Sequence, residues 1–360
     1  MPVALPFVTN RTWSESGYGS LRNSDARAPL SWGVAQVTPS HDPVREGRLD
    51  SVERSEATLS LVDFLSDWLD QAIIQGRSPL LYVHGFQYSF AAAATRIADF
   101  VACCGDAARL APLLFTWPSA NSLSAYLQDR GTVQASAPAL ARLLVSLPDA
   151  WRACERPPIH LMAHSMGAFA LDHVMHHLVD AGELPGERMF SQAVVIAGDT
   201  SSGAFAQGGA LRALPEIAQW VTIGVNKQDP VLRTIAQVKL RGPRIGCDGP
   251  MPARDLPERT AVVDYTIAVA QESLVTPSND AEWNYVGHNY YRTAPYVRED
   301  LARVFSFDTP DVAPELIPGR IRSEAMSPLM HAAPERLYTS HSFGEQKMAM
   351  AGPLLSSGAG

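Results

Sequence analysis

Between residues 61 and 305 the chain alternates segments of helical period with short, unbroken apolar runs. Leu61, Phe64, Leu65, Trp68, Leu69, Ala72 and Ile73 recur at three- and four-residue spacing, and Gly76 and Pro79 then introduce Leu80-Leu81-Tyr82-Val83. A change from a 3.6-residue period to a continuous apolar run marks a helix followed by a strand buried on both faces. The same change recurs at Pro112 to Phe115, Ile159 to Met162, Ala193 to Ala197, Val221 to Val225 and Ala261 to Val263, with helical stretches between most of them. Six such runs predict an α/β fold with a mostly parallel, doubly wound central sheet flanked by helices. Pro6 to Thr9 and Gly33 to Val37 are expected to add antiparallel edge strands, so that residues 1–307 make one domain. Residues 308–360 are rich in proline and lack a sustained period, which predicts a tail wrapped on the surface or disordered. Arg241 to Arg259 and about Glu272 to Asn284 read as long loops, and long loops in a compact domain are often functional.

Composition narrows the function classes. With 29 Lys and Arg against 37 Asp and Glu the formal charge is −8, which argues against a general nucleic-acid surface, since that affinity comes from clustered cations. Hydrophobic residues make up 46% and charged residues 18%, the balance of a folded chain rather than a disordered one. Four cysteines show no Cys-x-x-Cys spacing and read as buried thiols. The most apolar helical segment, Phe90 to Ala102, is interrupted by Arg96 and Asp99, so no transmembrane segment is expected. The N-terminus lacks a basic segment and a cleavage pattern, and the expected location is cytoplasmic. His173, His176 and His177 share a helix but lack the Glu of a His-Glu-x-x-His zinc site, so no metal is expected. No phosphate-binding glycine loop appears, and no cofactor is implied.

The sharpest chemical feature is Ile159-His160-Leu161-Met162-Ala163-His164-Ser165-Met166-Gly167, followed by the amphipathic run Ala168 to Leu178. A strand running into serine and then into a helix, with small residues two before and two after, is the context of a nucleophile elbow. The bland alternative is a serine that merely caps the helix. A second strand ends in Val83-His84-Gly85-Phe86, and its loop can present a backbone N–H to an oxyanion. Phe86 supplies that donor, and Met166, at the helix N-terminus, supplies the other. His84 reads as a brace for the loop rather than a base.

A serine hydroxyl needs a general base, and the base needs an acid to fix its tautomer. The order Ser, Asp, His is expected on a sheet of this kind. Asp229 follows the strand Val221 to Val225 and is preferred as the acid on strand order, with Asp199, after the preceding strand, as the alternative. His288, after the last buried strand and a long loop, is the candidate base. Phe86, Tyr88, Trp117, Tyr126, Trp283, Tyr290 and Tyr291 fall in or near loops at the carboxyl edge, where ligands of open α/β sheets bind. His84, Tyr88, Trp117, Tyr126 and Tyr290 are the substrate-binding candidates.

Phe7 to Arg11 (FVTNR), Ser31 to Val37, Leu80 to Phe86 (LLYVHGF), Leu113 to Ser119 (LLFTWPS), the spaced Tyr126 and Asp129, His160 to Gly167 (HLMAHSMG) and Gly287 to Tyr291 (GHNYY) together resemble a bacterial α/β-hydrolase family of unknown function, domain of unknown function 900. The resemblance runs from residue 7 to about 305 and does not cover the C-terminal tail. Ala163 departs from the glycine usual at the first elbow position. The resemblance implies an α/β-hydrolase fold, with Ser165 as nucleophile, Asp229 as acid and His288 as base. The expected function is a serine hydrolase acting on a small acyl substrate, a carboxylic ester in the first instance. An acyltransferase or thioesterase with the same triad, and a non-catalytic binding module on the same fold, are the alternatives.

Overall fold

The computed structural model of the chain describes residues 1–22, 30–43, 45–55, 58–120, 122–275, 287–306 and 335–339. The N-terminal region forms β1 (Val3–Thr9), β2 (Arg11–Ser14), β3 (Gly17–Arg22), β4 (Ser31–Thr38) and β5 (Arg48–Arg54). The six apolar runs become β6 (Ser78–Val83), β7 (Leu110–Thr116), β8 (Ile159–His164), β9 (Phe190–Ile196), β10 (Ala218–Val225) and β11 (Thr260–Asp264). With β12 (Glu335–Thr339) they build a ten-stranded sheet in the order β12-β11-β10-β9-β8-β6-β7-β1-β4-β5, while β2 and β3 pair separately. All pairings from β7 to β11 are parallel.

Two expectations about the sheet edges change. β1 is not an antiparallel edge strand: it runs parallel to β7, with Phe7 opposite Leu114, and carries antiparallel β4 on its other side. Apolar pattern reports burial and not strand direction, so this was beyond the sequence. The edge belongs instead to β5, whose sequence RLDSVER half-buries only Leu49 and Val52 and leaves its charges in solvent, as edge strands do to resist pairing with another chain. At the opposite edge, Glu335–Thr339 lies within the segment expected as a tail yet pairs antiparallel with β11. Five residues among prolines are too short a pattern to read as a strand.

Each face of the sheet is covered. On one, α1 (Leu61–Ile74), α3 (Tyr126–Ala153) and α4 (Met166–Ala181) bury Leu65, Leu144 and Leu171 against Leu81, Val83, Leu161 and Val195. On the other, α2 (Phe90–Cys104) and the C-terminal helix Pro295–Ser306 bury Ile97, Phe100, Leu301 and Phe305 among Leu80, Tyr82, Met162 and Val194. Alternate residues of β6 thus face opposite layers, and each large apolar side chain so buried contributes about 1.5–3 kcal/mol. Serine caps the starts of α1 and α2: Ser60 accepts from the Asp63 amide and Ser89 from the Ala92 amide. Among the described residues no helix is long and apolar enough to cross a membrane.

The segment Arg241 to Arg259, expected as a long loop, holds a one-turn helix, Ile245–Asp248, stitched across two strand ends. Ile245 donates to Thr200 O at 3.0 Å, Gly246 to Gly198 O at 2.9 Å, and Asn226 to Gly246 O at 2.9 Å. The turns after β9 and β10 are therefore held to each other. Those turns, with the ones after β6, β7 and β8, collect at the carboxyl edge of the sheet, where crevices of such folds open.

Candidate active site

Ser165 joins β8 to α4 with φ +55° and ψ −121°. That backbone costs on the order of 1–3 kcal/mol for a residue with a side chain and persists only where neighbours impose it. Here the Ser165 amide donates to Ile196 O at 3.1 Å and its carbonyl accepts from the Asp199 amide at 2.9 Å, fastening the turn to β9. The hydroxyl makes no cap bond to α4, which removes the reading of Ser165 as a helix cap. Ala163 fits as a buried residue of β8 between Val83 and Val195. Gly167 has no such latitude, because a Cβ there would lie 2.3 Å from Val83 O and 2.8 Å from His84 O. Gly167→Ala should cost about 1–3 kcal/mol through backbone displacement, seen as a lower urea midpoint at unchanged slope; a wild-type midpoint would show that the turn has room.

Three buried side chains meet in line. Ser165 Oγ lies 2.7 Å from His288 Nε2, and His288 Nδ1 lies 2.7 Å from Asp229 Oδ2. A carboxylate only accepts, so Nδ1–H donates to Asp229 and Nε2 is left to accept the serine hydroxyl. Asp229 Oδ1 takes the amides of Val231 and Leu232, each at 3.0 Å. Both carboxylate oxygens are thereby committed. The backbone at His288 is tied down as well: Asn226 Nδ2 donates to Gly287 O at 2.7 Å, and His164 Nε2 donates to His288 O at 3.2 Å. Asp199 stands elsewhere, its Oδ2 accepting from Tyr126 OH at 2.6 Å and pairing with Arg130 at 3.2 Å. Of the two candidate acids, the one within reach of His288 is Asp229.

The loop after β6 is braced by a buried polar chain. The Trp117 amide donates to His84 Nε2 at 3.1 Å, so the proton sits on Nδ1, which donates to Gly85 O at 2.8 Å. Thr116 Oγ1 lies 3.0 Å from His84 Nε2 and accepts from Arg11 Nε at 3.0 Å. The Trp117 indole stacks on His84 at 5.1 Å and donates to His84 O at 3.0 Å. His84 is thus a brace. Among the described residues the amides of Phe86 and Met166 donate to no other group.

Burial holds His84, His160 and His164 neutral. Desolvation, and then the Arg11 charge, pushes His84 down to about 3; desolvation pushes His160 down to about 4 and, with His288 beside it, His164 well below the usual range. Unfolded, each takes up its proton near 6.5. The unfolded chain therefore binds more protons in acid. The stability is fully present above pH 6.5 and is lost as pH falls toward the folded values, at roughly 1.4 kcal/mol per pH unit for each histidine. Urea unfolding free energies at about pH 7 and pH 5 should differ by several kcal/mol; equal values would show that the histidines are not buried neutral.

The remaining candidates are turned inward. Trp117, Tyr126 and Tyr290 are at most 1% exposed. The Tyr290 hydroxyl accepts from the Ala197 amide at 3.1 Å and reaches Gly224 O at 3.2 Å, while Tyr88 OH donates to Asn289 Oδ1 at 3.0 Å. Tyr126 packs its ring edge-on against Phe86 at 5.3 Å. Trp283 lies outside the described residues. His164 and Asn226 carry no signal in the sequence, although His164 adjoins Ser165 and Asn226 opens the turn that holds Asp229.

The mostly parallel sheet, its two helical layers and the strand-to-helix serine turn define an α/β hydrolase. The chain belongs to the family described as alpha/beta hydrolase of unknown function (DUF900), whose model matches residues 63–304. No curated protein and no solved structure matches it.

Proposed function

We propose that the protein is a serine hydrolase acting through Ser165, His288 and Asp229, with carboxylic esters as substrates. The observation that supports this reading is the unbroken chain of 2.7 Å contacts from Ser165 Oγ through the His288 ring to Asp229. In that scheme His288 Nε2 removes the hydroxyl proton as Ser165 Oγ bonds to the acyl carbon. The carbonyl electron pair moves onto oxygen, where the Phe86 and Met166 amides receive it. The C–O bond to the leaving alcohol then breaks as His288 returns the proton to that alcohol, leaving an acyl-serine. Water, deprotonated by the same imidazole, releases the acid and restores the serine. Esters are favoured over amides because an alkoxide demands less leaving-group protonation than an amine.

A small fluorophosphonate tests the reading. Intact-mass spectrometry is expected to show one covalent adduct per chain, on the peptide containing Ser165. A folded protein that takes up no adduct would point to the non-catalytic binding module.

A further inference from the structure

Asp199 is buried to 1% exposure, yet its Oδ1 has no hydrogen-bond partner among the described residues. Buried polar atoms are satisfied in the great majority of cases, and Asp229 on the same sheet edge uses both of its oxygens. The location adds a reason. The Asp199 amide donates to Ser165 O at 2.9 Å, so the residue directly adjoins the serine turn. Its other oxygen takes the Tyr126 hydroxyl, and the Tyr126 ring packs against Phe86 of the oxyanion loop. Arg130, lying over the Phe169 ring at 3.5 Å, also donates to Asp199 O at 3.0 Å, which fixes the carboxylate's bearing.

We infer that Asp199 Oδ1 is a substrate-recognition group, accepting a hydrogen bond from a hydroxyl or other neutral donor carried close to the scissile ester. This rests on Ser165 being the nucleophile. The donor is neutral because Arg130 already balances the carboxylate charge, and a second buried cation there would stand unpaired. A hydroxylated ester satisfies the oxygen, whereas its alkyl counterpart leaves it unpaired.

The test compares matched esters. In wild type, kcat/KM is measured for p-nitrophenyl butyrate against its 2-hydroxy and 3-hydroxy forms, and for propyl butyrate against 2-hydroxyethyl butyrate. At least one hydroxylated ester should exceed its parent by about ten- to a hundredfold. In Asp199→Asn, Arg130 and Tyr126 still donate and so hold the amide oxygen on their side. The amide NH2 then replaces Oδ1, turning an acceptor into a donor. The hydroxyl advantage should vanish, and the corresponding keto ester should gain. Parity within about twofold across the wild-type pairs, which is what a carboxylate satisfied by resident water would give, overturns the inference and needs no variant. So does a hydroxyl advantage that survives in Asp199→Asn. Fluorophosphonate labelling separates the two readings: a protein that labels at Ser165 but shows parity loses only the Asp199 assignment, and one that does not label loses both.

Discussion

Ser165→Ala is expected to lower turnover of p-nitrophenyl butyrate by on the order of 10⁶, the scale set by other serine triads, while leaving the protein folded. The separation of the two effects follows from the hydroxyl's contacts. Its hydrogen bond goes to His288 Nε2 and none goes to the helix that follows. Alanine keeps the Cβ and accepts the same φ of +55° at a strain like that of serine. Removing the oxygen therefore withdraws the nucleophile and one side-chain hydrogen bond, worth about 1 kcal/mol of stability. Any residual rate would come from the Phe86 and Met166 amides polarising the carbonyl toward water. Steady-state rates beside a urea unfolding curve check both halves. A variant that turns over at the wild-type rate would end the proposal, and an unfolded variant would assign the hydroxyl a structural role that its contacts do not show.

How much of this was legible in the sequence depended on whether a feature was local. The run from Ile159 to Gly167 announced a strand, a serine and a helix because all three lie within nine residues. Asp229 and His288 were legible for a related reason: each follows a recognisable strand or the loop after it, and strand order ranked Asp229 above Asp199. What could not be read was the cross-bracing. Asn226 reaches Gly287 across 61 positions, His164 reaches the His288 carbonyl across 124, and Arg11 reaches Thr116 across 105. Periodicity carries no information about such pairs. The burial of the aromatic candidates was hidden for a different reason. Trp117 directly follows β7, Tyr126 opens α3 and Tyr290 opens a one-turn helix, but position along the chain does not say whether a side chain is exposed or buried, and these are buried. Direction was likewise hidden at the N-terminus, where Phe7 and Val8 read as a buried strand whether β1 ran parallel or antiparallel to β7.

Asp229→Asn should reduce kcat by about 10⁴, the cost of the wrong imidazole tautomer in other triads, with KM little changed. The reason lies in how the carboxylate is divided. Oδ1 accepts two backbone amides, from Val231 and Leu232, and Oδ2 faces His288 Nδ1. An asparagine must keep its carbonyl oxygen toward the two amides, since turning NH2 toward them would set donor against donor. Its NH2 then faces Nδ1 and can only donate. The imidazole responds by carrying its proton on Nε2, where it donates to Ser165 Oγ instead of accepting from it, and the general base is lost. The amide caps survive, so the urea midpoint should fall by far less than it would for Asp229→Ala, which leaves both amides without their acceptor. Fluorophosphonate labelling should slow in step with kcat, because that reaction needs the same proton removed. If Asp229→Asn retained wild-type kcat, the hydrogen bond to His288 would be structural only, and the base would be oriented by its backbone ties to His164 and Asn226.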